Sequence, residues 1–491
     1  MFASARLVDW KSADSVPGGV PDRLSGLAVS GLTADSRAVL PGHLFVALPG
    51  HSADGRRFIA DAVERGAAAV LAPEGTVWPP GVPPRPLITH PEPRLALARL
   101  AAAHAGCRPK TLVAVTGTNG KTSTVDFLRQ LWSVHGLPAA SLGTLGLIAP
   151  GHTSRSGLTT PDPVALAAIM AELAHDGVEH AAIEASSHGL DQFRLDGLAI
   201  HAAGFSNLTR DHLDYHGSEQ AYRLAKLRLF DELLCEHGTA VVNADMDAGT
   251  LDALHDIAAR RRLVWQSVGE RGTSLRLVLT RPLPHGQVLA IAHDGMERDY
   301  EVKLPGRFQA DNVLMAAALA RACDVPGALD LLGDLAGVRG RMELVTTLPN
   351  GAAAYVDYAH TPDALARLLA ALRPHAQGRL LCVFGAGGDR DPGKRPLMGQ
   401  TVARLADVAV VTDDNPRGEN PAMIRRAILA ACPDAIEIGD RARAIAAALD
   451  MARSGDVVVV AGKGHEQGQT IAGIVKPFDD AATIRGLAAA A

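Results

Sequence analysis

One stretch restricts the fold more than any other: Thr111-Leu-Val-Ala-Val-Thr-Gly-Thr-Asn-Gly-Lys-Thr-Ser123. Its apolar, β-branched run ends in Gly117-Thr118-Asn119-Gly120. Lys121-Thr122-Ser123 then leads into Val125, Leu128, Leu131 and Trp132 at helical spacing. The order is strand, glycine turn, helix. Glycines let backbone N–H groups turn inward, and a helix N-terminus carries partial positive charge, so polyphosphate is stabilised there. Lys121 would neutralise phosphate oxygens, and the Thr122 hydroxyl is placed to hold magnesium. The full eight-position phosphate loop has glycine where this chain has Val115, so the loop is a shortened one. The stretch predicts nucleotide binding on an α/β sheet.

A chain of 491 residues is too long for a single core and suggests about three domains. Net charge is −5 without a basic block, which argues against nucleic acid as the main partner. Abundant alanine and glycine with few aromatics point to helices packed closely on sheets. The cysteines (Cys107, Cys235, Cys323, Cys382, Cys432) have no metal or redox spacing and are expected to be reduced core thiols of a cytosolic protein. Early charges at Asp9, Lys11 and Asp14 argue against a signal peptide, and no apolar run reaches spanning length.

Residues 1–106 read as a small α/β domain, with strands at Leu44–Leu48 and Ala67–Leu71, a helix at Phe58–Val63 and a Pro-rich surface loop at Pro79–Pro86. Residues 107–338 form the central domain. There, strands at His180–Glu184, Ala202–Ser206 and Thr239–Val242 alternate with helical patterns, as in a doubly wound, mostly parallel sheet. Leu275–Lys303 reads as a β-rich excursion. Residues 339–491 form a Rossmann-like unit with strands at Ala353–Val356, Leu380–Phe384, Val408–Val411 and Val457–Val460. Each of these strands is followed by a polar or glycine-rich loop, and such loops can converge on one rim.

Several residues admit two readings from chemistry alone. Glu184 ends a buried strand and His212 follows another; they are either a cap and a surface histidine or ligands beside Thr122. Lys226, in the amphipathic run Tyr222–Phe230, reads as an ordinary solvated lysine. Gly385–Arg390 with Lys394-Arg395 is a plain loop or an anion cradle. Asp413-Asp-Asn-Pro-Arg-Gly-Glu419 is a proline turn or a loop suited to a zwitterion, with carboxylates for ammonium and arginine for carboxylate.

Taken together, Gly117-Thr-Asn-Gly-Lys-Thr-Ser, Glu184-Ala-Ser-Ser-His-Gly-Leu, Asn207-Leu-Thr-Arg-Asp-His-Leu-Asp-Tyr-His and Asp357-Tyr-Ala-His-Thr-Pro resemble the Mur ligases, the ATP-dependent amide-bond synthetases of peptidoglycan assembly. The resemblance spans nearly the whole chain. Thr33-Ala-Asp-Ser-Arg-Ala and Gly50-His-Ser-Ala-Asp-Gly resemble the member that adds the third stem residue, and Asp414-Asn-Pro-Arg with Gly462-Lys-Gly-His-Glu the version that adds meso-diaminopimelate.

The resemblance implies ATP and UDP-N-acetylmuramoyl-L-alanyl-D-glutamate as partners, Mg2+ as cofactor, no membrane insertion, and a cytoplasmic monomer. By the same resemblance, Ser36, His51, Ser52 and Ala53 would hold the uridine nucleotide, and Thr159, Thr160, Ser186, Gln192 and Arg194 its sugar-peptide. Gly117, Thr118, Asn119, Gly120, Lys121, Thr122, Ser123, Asn312, Arg341, Asp357 and His360 would form the ATP site. Thr122, Glu184, His212 and Lys226 would serve the metal, Lys226 as a carbamate, with Lys121, Glu184, His212 and Lys226 carrying catalysis. Arg390, Asp414, Asn415, Pro416, Arg417, Gly462 and Glu466 would recognise diaminopimelate. Two positions depart from the family pattern: Gln309, often asparagine, and Leu158, which can be polar.

Overall fold

The computed structural model describes residues 5–6, 28–50, 53–152, 158–209, 211–283 and 286–490. The chain divides into two compact units, Met1–Ser267 with Ala318–Pro326, and Val268–Ala317 with Gly327–Ala491.

The first unit holds a short antiparallel pair, Ala5–Arg6 with Ala28–Val29, and two larger sheets. Strands β1 (Gly31–Thr33), β2 (His43–Val46), β3 (Ala69–Pro73) and β4 (Leu87–His90) pair in parallel and in sequence order. Parallel strands need cover on both faces, and β2 and β3 are apolar on both. Leu44, Val46, Ala69 and Leu71 pack with Leu97 and Leu100 of helix α1 (Pro93–Ala105), while Phe45 and Val70 pack with Ile59 and Val63.

The second, ten-stranded sheet includes β5 (Thr111–Thr116), β6 (Ala139–Gly143), β7 (Gly146–Ile148), β8 (His180–Glu184), β9 (Ile200–Phe205) and β10 (Leu234–Asn243), and continues beyond β10 through the strand Val264–Gly269. Among these six strands the order is β10-β9-β5-β8-β6-β7, and every pairing except β6 with β7 is parallel. Helices α2 (Lys121–Val134), α3 (Pro163–His175), α4 (Ser187–Asp191) and α5 (Glu219–Arg228) lie between its strands in sequence. The chain runs from β5 outward on one side, then returns to place β9 on the other. The carboxyl end of β5 is therefore a topological switch point, where open sheets of this kind bind ligands.

In the second unit, β11 (Leu275–Leu283), β12 (Gly286–His293) and β13 (Met296–Val302) form an antiparallel meander, the expected β-rich excursion. Helix α6 (Arg307–Ala322) begins in this unit. Next come β14 (Glu343–Thr347), β15 (Ala353–Asp357), α7 (Pro362–Leu372), β16 (Leu380–Phe384), α8 (Lys394–Leu405), β17 (Val408–Val411) and β18 (Ile436–Glu437). They are followed by α9 (Arg441–Met451), β19 (Val457–Ala461), β20 (Gly468–Ile471), β21 (Ile474–Pro477) and α10 (Asp480–Ala490). The main sheet runs β14-β15-β19-β16-β17-β18, with only β14 antiparallel. The four expected strands are present and adjacent, so the loops that follow them share the carboxyl edge of one sheet.

Three differences have local causes. The expected helix at Phe58–Val63 begins as a 3-10 turn, Gly55–Phe58, whose first turn is capped by the Asp54 carboxylate, and becomes α-helical over Ile59–Glu64. Strand β14 is half-buried on both faces and so has no alternating pattern to betray it. Cys323, Cys382 and Cys432 are buried, whereas Cys107 and Cys235 are only half-buried, so the core-thiol expectation holds for three of the five.

Candidate active site

The phosphate loop is held from outside by the polar end of β9. Ser206 Oγ donates to the carbonyl of Asn119 at 2.6 Å. Asn207 receives the Asn119 N–H on Oδ1 at 2.9 Å and takes the Thr118 N–H on its carbonyl at 2.9 Å. The Thr118 hydroxyl meets Tyr222 OH and accepts the Thr209 N–H, at 3.1 and 2.9 Å. Gly117 has φ 143°, and a Cβ there would stand 2.0 Å from Ser206 Oγ. Only glycine fits both the backbone and the space. Gly120 caps α2 in the left-handed region, and Thr122 and Ser123 lie buried in its first turn.

Two amines converge on one carbonyl oxygen here. Lys121 Nζ donates to Gly117 O at 2.8 Å and Thr118 O at 3.0 Å, and Lys226 Nζ donates to the same Gly117 O at 2.8 Å. Lys226 is 1% exposed, on α5, with its amine 4.5 Å from the Tyr222 ring centre. The expectation of a solvated lysine is therefore wrong. The helix turns this residue into the loop because Tyr222, Ala225 and Leu227 bury the same side. Burial, reinforced by the nearby Lys121 charge, pushes the Lys226 amine well below its ordinary range.

At the end of β8, Glu184 is buried, and its carboxylate accepts the Thr144 N–H on Oε1 at 2.8 Å and the Thr144 hydroxyl on Oε2 at 3.2 Å. Sequence reasoning missed Thr144; its signal was position, at the turn closing β6. Thr160 Oγ1 donates to the Glu184 carbonyl at 2.7 Å and meets Ser186 Oγ at 3.0 Å, while Thr144 Oγ1 meets Thr159 Oγ1 at 3.2 Å. Arg194 reaches the Thr160 carbonyl and Gln192 Oε1, at 2.6 and 2.7 Å, and Gln192 donates to Tyr215 OH at 3.0 Å. Thr159, Thr160, Ser186, Gln192 and Arg194 thus form one connected group with Glu184.

His212 is exposed with φ 50°, its ring edge-on to His188 at 4.9 Å. Among the described residues, no three His, Cys, Asp or Glu side chains gather as a metal cluster. The expected set contains only two of that kind, Glu184 and His212. Ser36 lies buried in a 3-10 turn after β1, and Ala53 is half-buried; His51 and Ser52 fall outside the described residues.

The other expected residues lie in the second unit. Asn312 is buried and donates to Gln309 Oε1 at 2.9 Å, so the glutamine that departs from the family pattern orients its neighbour one turn on. Asp357 ends β15 and accepts the N–H groups of Met342 and Ala359, each at 2.7 Å. Burial pushes its carboxyl up, with Arg341 and those donors opposing. The Arg341 guanidinium lies 4.9 Å from the Tyr358 ring, which also faces His360 and His465; burial, then Arg341, pushes His465 down to about 4.

Around the Asp413–Asn420 loop, Asn415 donates to Glu466 at 2.8 Å and accepts from the buried amine of Lys463 at 3.0 Å. Lys463 was another residue that sequence reasoning passed over. Pro416 is buried, and Arg417, half-buried with φ 52°, donates to the Gly388 carbonyl at 2.8 Å. Asp414 Oδ2 is buried without a hydrogen-bond partner and lies against Gly462. Arg390 is exposed at the rim.

A phosphate loop at a switch point, with a buried amine against it and a second α/β unit bearing a mixed-charge loop, defines an α/β protein of the phosphate-loop kind. Comparison with known proteins carries this further. Residues 28–105 match the model described as Mur ligase family, catalytic domain; 115–320 match the Mur ligase middle domain; 340–464 match the Mur ligase glutamate ligase domain. A UDP-N-acetylmuramoyl-L-alanyl-D-glutamate–2,6-diaminopimelate ligase from Caulobacter vibrioides is 54% identical over 465 residues, covering 92% of this chain and 94% of the relative. A ligase of the same name from a Chelativorans species is 51% identical, covering 93% and 94%. A solved structure with that name superposes with TM-score 0.74 at 32% identity, over 100% of this chain and 99% of the other. A MurF ligase from Thermotoga maritima in complex with ADP shares the fold, with TM-score 0.60 at 18% identity, covering 88% of this chain and 94% of that one. The chain belongs to the Mur ligase family.

Proposed function

We propose that this protein is the ATP-dependent ligase that adds meso-2,6-diaminopimelate to UDP-N-acetylmuramoyl-L-alanyl-D-glutamate, working as a cytoplasmic monomer in peptidoglycan precursor synthesis. Support comes from the names of relatives about half identical over most of the chain and from the site chemistry. Residues 1–106 take the nucleotide end of the acceptor, 107–338 the ATP, and 339–491 the amino acid.

The γ-carboxylate of the acceptor attacks the γ-phosphorus of ATP, forming an acyl phosphate and releasing ADP. The amine of diaminopimelate then attacks the acyl carbon, and the tetrahedral intermediate expels phosphate to leave the amide. Phosphoryl transfer of this kind needs positioning and charge neutralisation. The phosphate-loop N–H groups and Lys121 bind the polyphosphate, while Asn312, Arg341, Asp357 and His360 complete the ATP site. Ser36 and the His51–Ala53 turn hold the uridine nucleotide, and Thr159, Thr160, Ser186, Gln192 and Arg194 fix the acceptor peptide.

Lys226 carries this reading, as a buried amine at the phosphate loop whose neutral form is favoured. A neutral amine adds to carbon dioxide and loses a proton to become a carbamate, converting a cation into a carboxylate. The Thr122 hydroxyl, Glu184 and that carbamate are hard oxygen donors of the kind magnesium takes, with His212 as a further ligand. Magnesium there would screen the charge of the phosphate oxygens. Asp414, Asn415, Pro416, Arg417, Gly462, Glu466 and Arg390 receive diaminopimelate, with arginine pairing to its distal carboxylate.

The test is phosphate release by the purified protein with ATP, magnesium and the acceptor, with meso-diaminopimelate and L-lysine in separate reactions. Release with diaminopimelate alone is expected. Release with lysine would overturn the amino-acid assignment, and release with neither would overturn the reaction.

A further inference from the structure

Beneath the Asp413–Asn420 loop lies an ion pair to which the reaction above gives no role. Arg441 opens α9 and Asp480 opens α10, and both side chains are 0% exposed. Arg441 Nε donates to Asp480 Oδ1 and Nη2 to Oδ2, each at 2.7 Å, and Nη2 also donates to the carbonyl of Ala461 at 3.0 Å. Arg441 Nη1 is buried with no hydrogen-bond partner, as is Asp414 Oδ2. A Cβ built on Gly462 would stand 2.3 Å from Asp414 Oδ2 and 3.9 Å from Arg441 Nη2. The Arg441 guanidinium and the unpartnered Asp414 carboxylate oxygen, opposite in charge, therefore flank one glycine just after β19.

Two other buried cations of this region are engaged, Lys463 by Asn415 and Glu466 and Arg395 by Glu419. Burial would lower the Arg441 guanidinium, but Asp480, then Asp414 and Glu466, outweigh it. A buried pair serving only as a staple does no better than an apolar pair of similar volume.

We propose that Arg441, held in place by Asp480, is a positioning residue of the amino-acid site: its charge, across Gly462 from Asp414, holds that carboxylate in place to receive the ammonium group of the incoming amino acid. This rests on the reading of Asp414 as an amino-acid contact. Without the guanidinium, Asp414 loses the opposite charge that orients its carboxylate, whether or not Asp480 is present. A misplaced Asp414 carboxylate holds an ammonium group less well. Asp480→Asn leaves the cation in place, with the Ala461 carbonyl still accepting from it and Asp414 still beside it.

The two partners should therefore behave differently, which a staple would not. The experiment measures initial rates of phosphate release with each of the three substrates varied in turn, alongside thermal unfolding. Arg441→Met is expected to raise KM for meso-diaminopimelate about tenfold, leaving KM for ATP and for the acceptor within about twofold and kcat little changed. Asp480→Asn is expected to keep the diaminopimelate KM within about threefold. The double variant Arg441→Met/Asp480→Leu replaces the pair with apolar side chains, so it should fold and still show the raised KM. A wild-type diaminopimelate KM in the double variant, or equal increases in both single variants, would overturn the proposal. Asp414→Asn separates the two levels. A wild-type KM there would remove the Asp414 assignment itself, whereas a raised KM with unaffected Arg441 variants would remove only the positioning role.

Discussion

Replacing Gly117 with alanine tests whether the phosphate loop works by close backbone approach. The backbone at 117 has φ 143°, which costs an L-residue about 2 kcal/mol. The new Cβ would stand 2.0 Å from Ser206 Oγ and 3.1 Å from both N and O of Asn207. The Ser206 hydroxyl must then leave the Asn119 carbonyl it holds at 2.6 Å. Overpacking and a lost hydrogen bond together add about 2 kcal/mol. The sum, about 4 kcal/mol, corresponds to roughly a thousandfold loss of ATP affinity if the loop bears it on binding. In a Ser206→Gly background the 2.0 Å clash is gone and only the milder Asn207 contacts remain, so the same change should cost about 2 kcal/mol, or roughly thirtyfold. Titration with a fluorescent ATP analogue, for wild type, both single variants and the double, gives the four values needed. Equal costs of Gly117→Ala in the two backgrounds would refute the steric argument, and near-wild-type affinity in Gly117→Ala would refute the strain argument as well.

Lys226→Ala should nearly abolish turnover, with short carboxylates added to the assay partly restoring it; turnover near wild type would refute the carbamate role. In carbon-dioxide-free buffer, burial and Lys121 keep the native Lys226 amine below 10.5, its ordinary value. The unfolded chain therefore binds the extra proton between the native value and 10.5, and this group's contribution to stability rises with pH through that window. Lys226→Met should flatten that slope in urea midpoints measured across pH; an unaltered slope would count against it. Thr144→Val removes the hydroxyl on Glu184 Oε2 but keeps the backbone donor on Oε1, so stability should fall by only about 1 kcal/mol while the magnesium needed for half-maximal rate rises several-fold. An unchanged magnesium titration would show that Thr144 does not orient Glu184. Arg417→Ala should lose the preference for diaminopimelate over lysine, because an arginine without its carboxylate is costly to bury; an unchanged ratio of kcat/KM values would sink that role.

Glu184 was legible because a carboxylate ending an apolar strand is out of place unless something holds it, and His180–Glu184 is a strand with the bounds expected. Lys226 was not legible from periodicity. A lysine on an amphipathic helix looks solvated, and its burial depends on how α5 packs beneath a loop more than a hundred residues earlier. Thr144 and Lys463 were missed for a related reason: hydroxyls and lysines are common in turns, and only the fold gives them partners. Strand β14 escaped because an edge strand half-covered on both faces leaves no alternation. Arg441 and Asp480 lie far apart in sequence, each opening an ordinary amphipathic helix, and nothing local marks them as a pair.

By itself, the sequence determined the class of fold, the order of the elements, the phosphate loop and the family, because these depend on local periodicity, turn chemistry and motifs of consecutive residues. Tertiary structure alone decided which polar side chains are buried and what each one faces: two amines on the Gly117 carbonyl, Thr144 on Glu184, and Arg441 behind Asp414. Those contacts join residues distant along the chain. Their energetics depend on the exclusion of water, a property of the packed fold that no window of sequence contains.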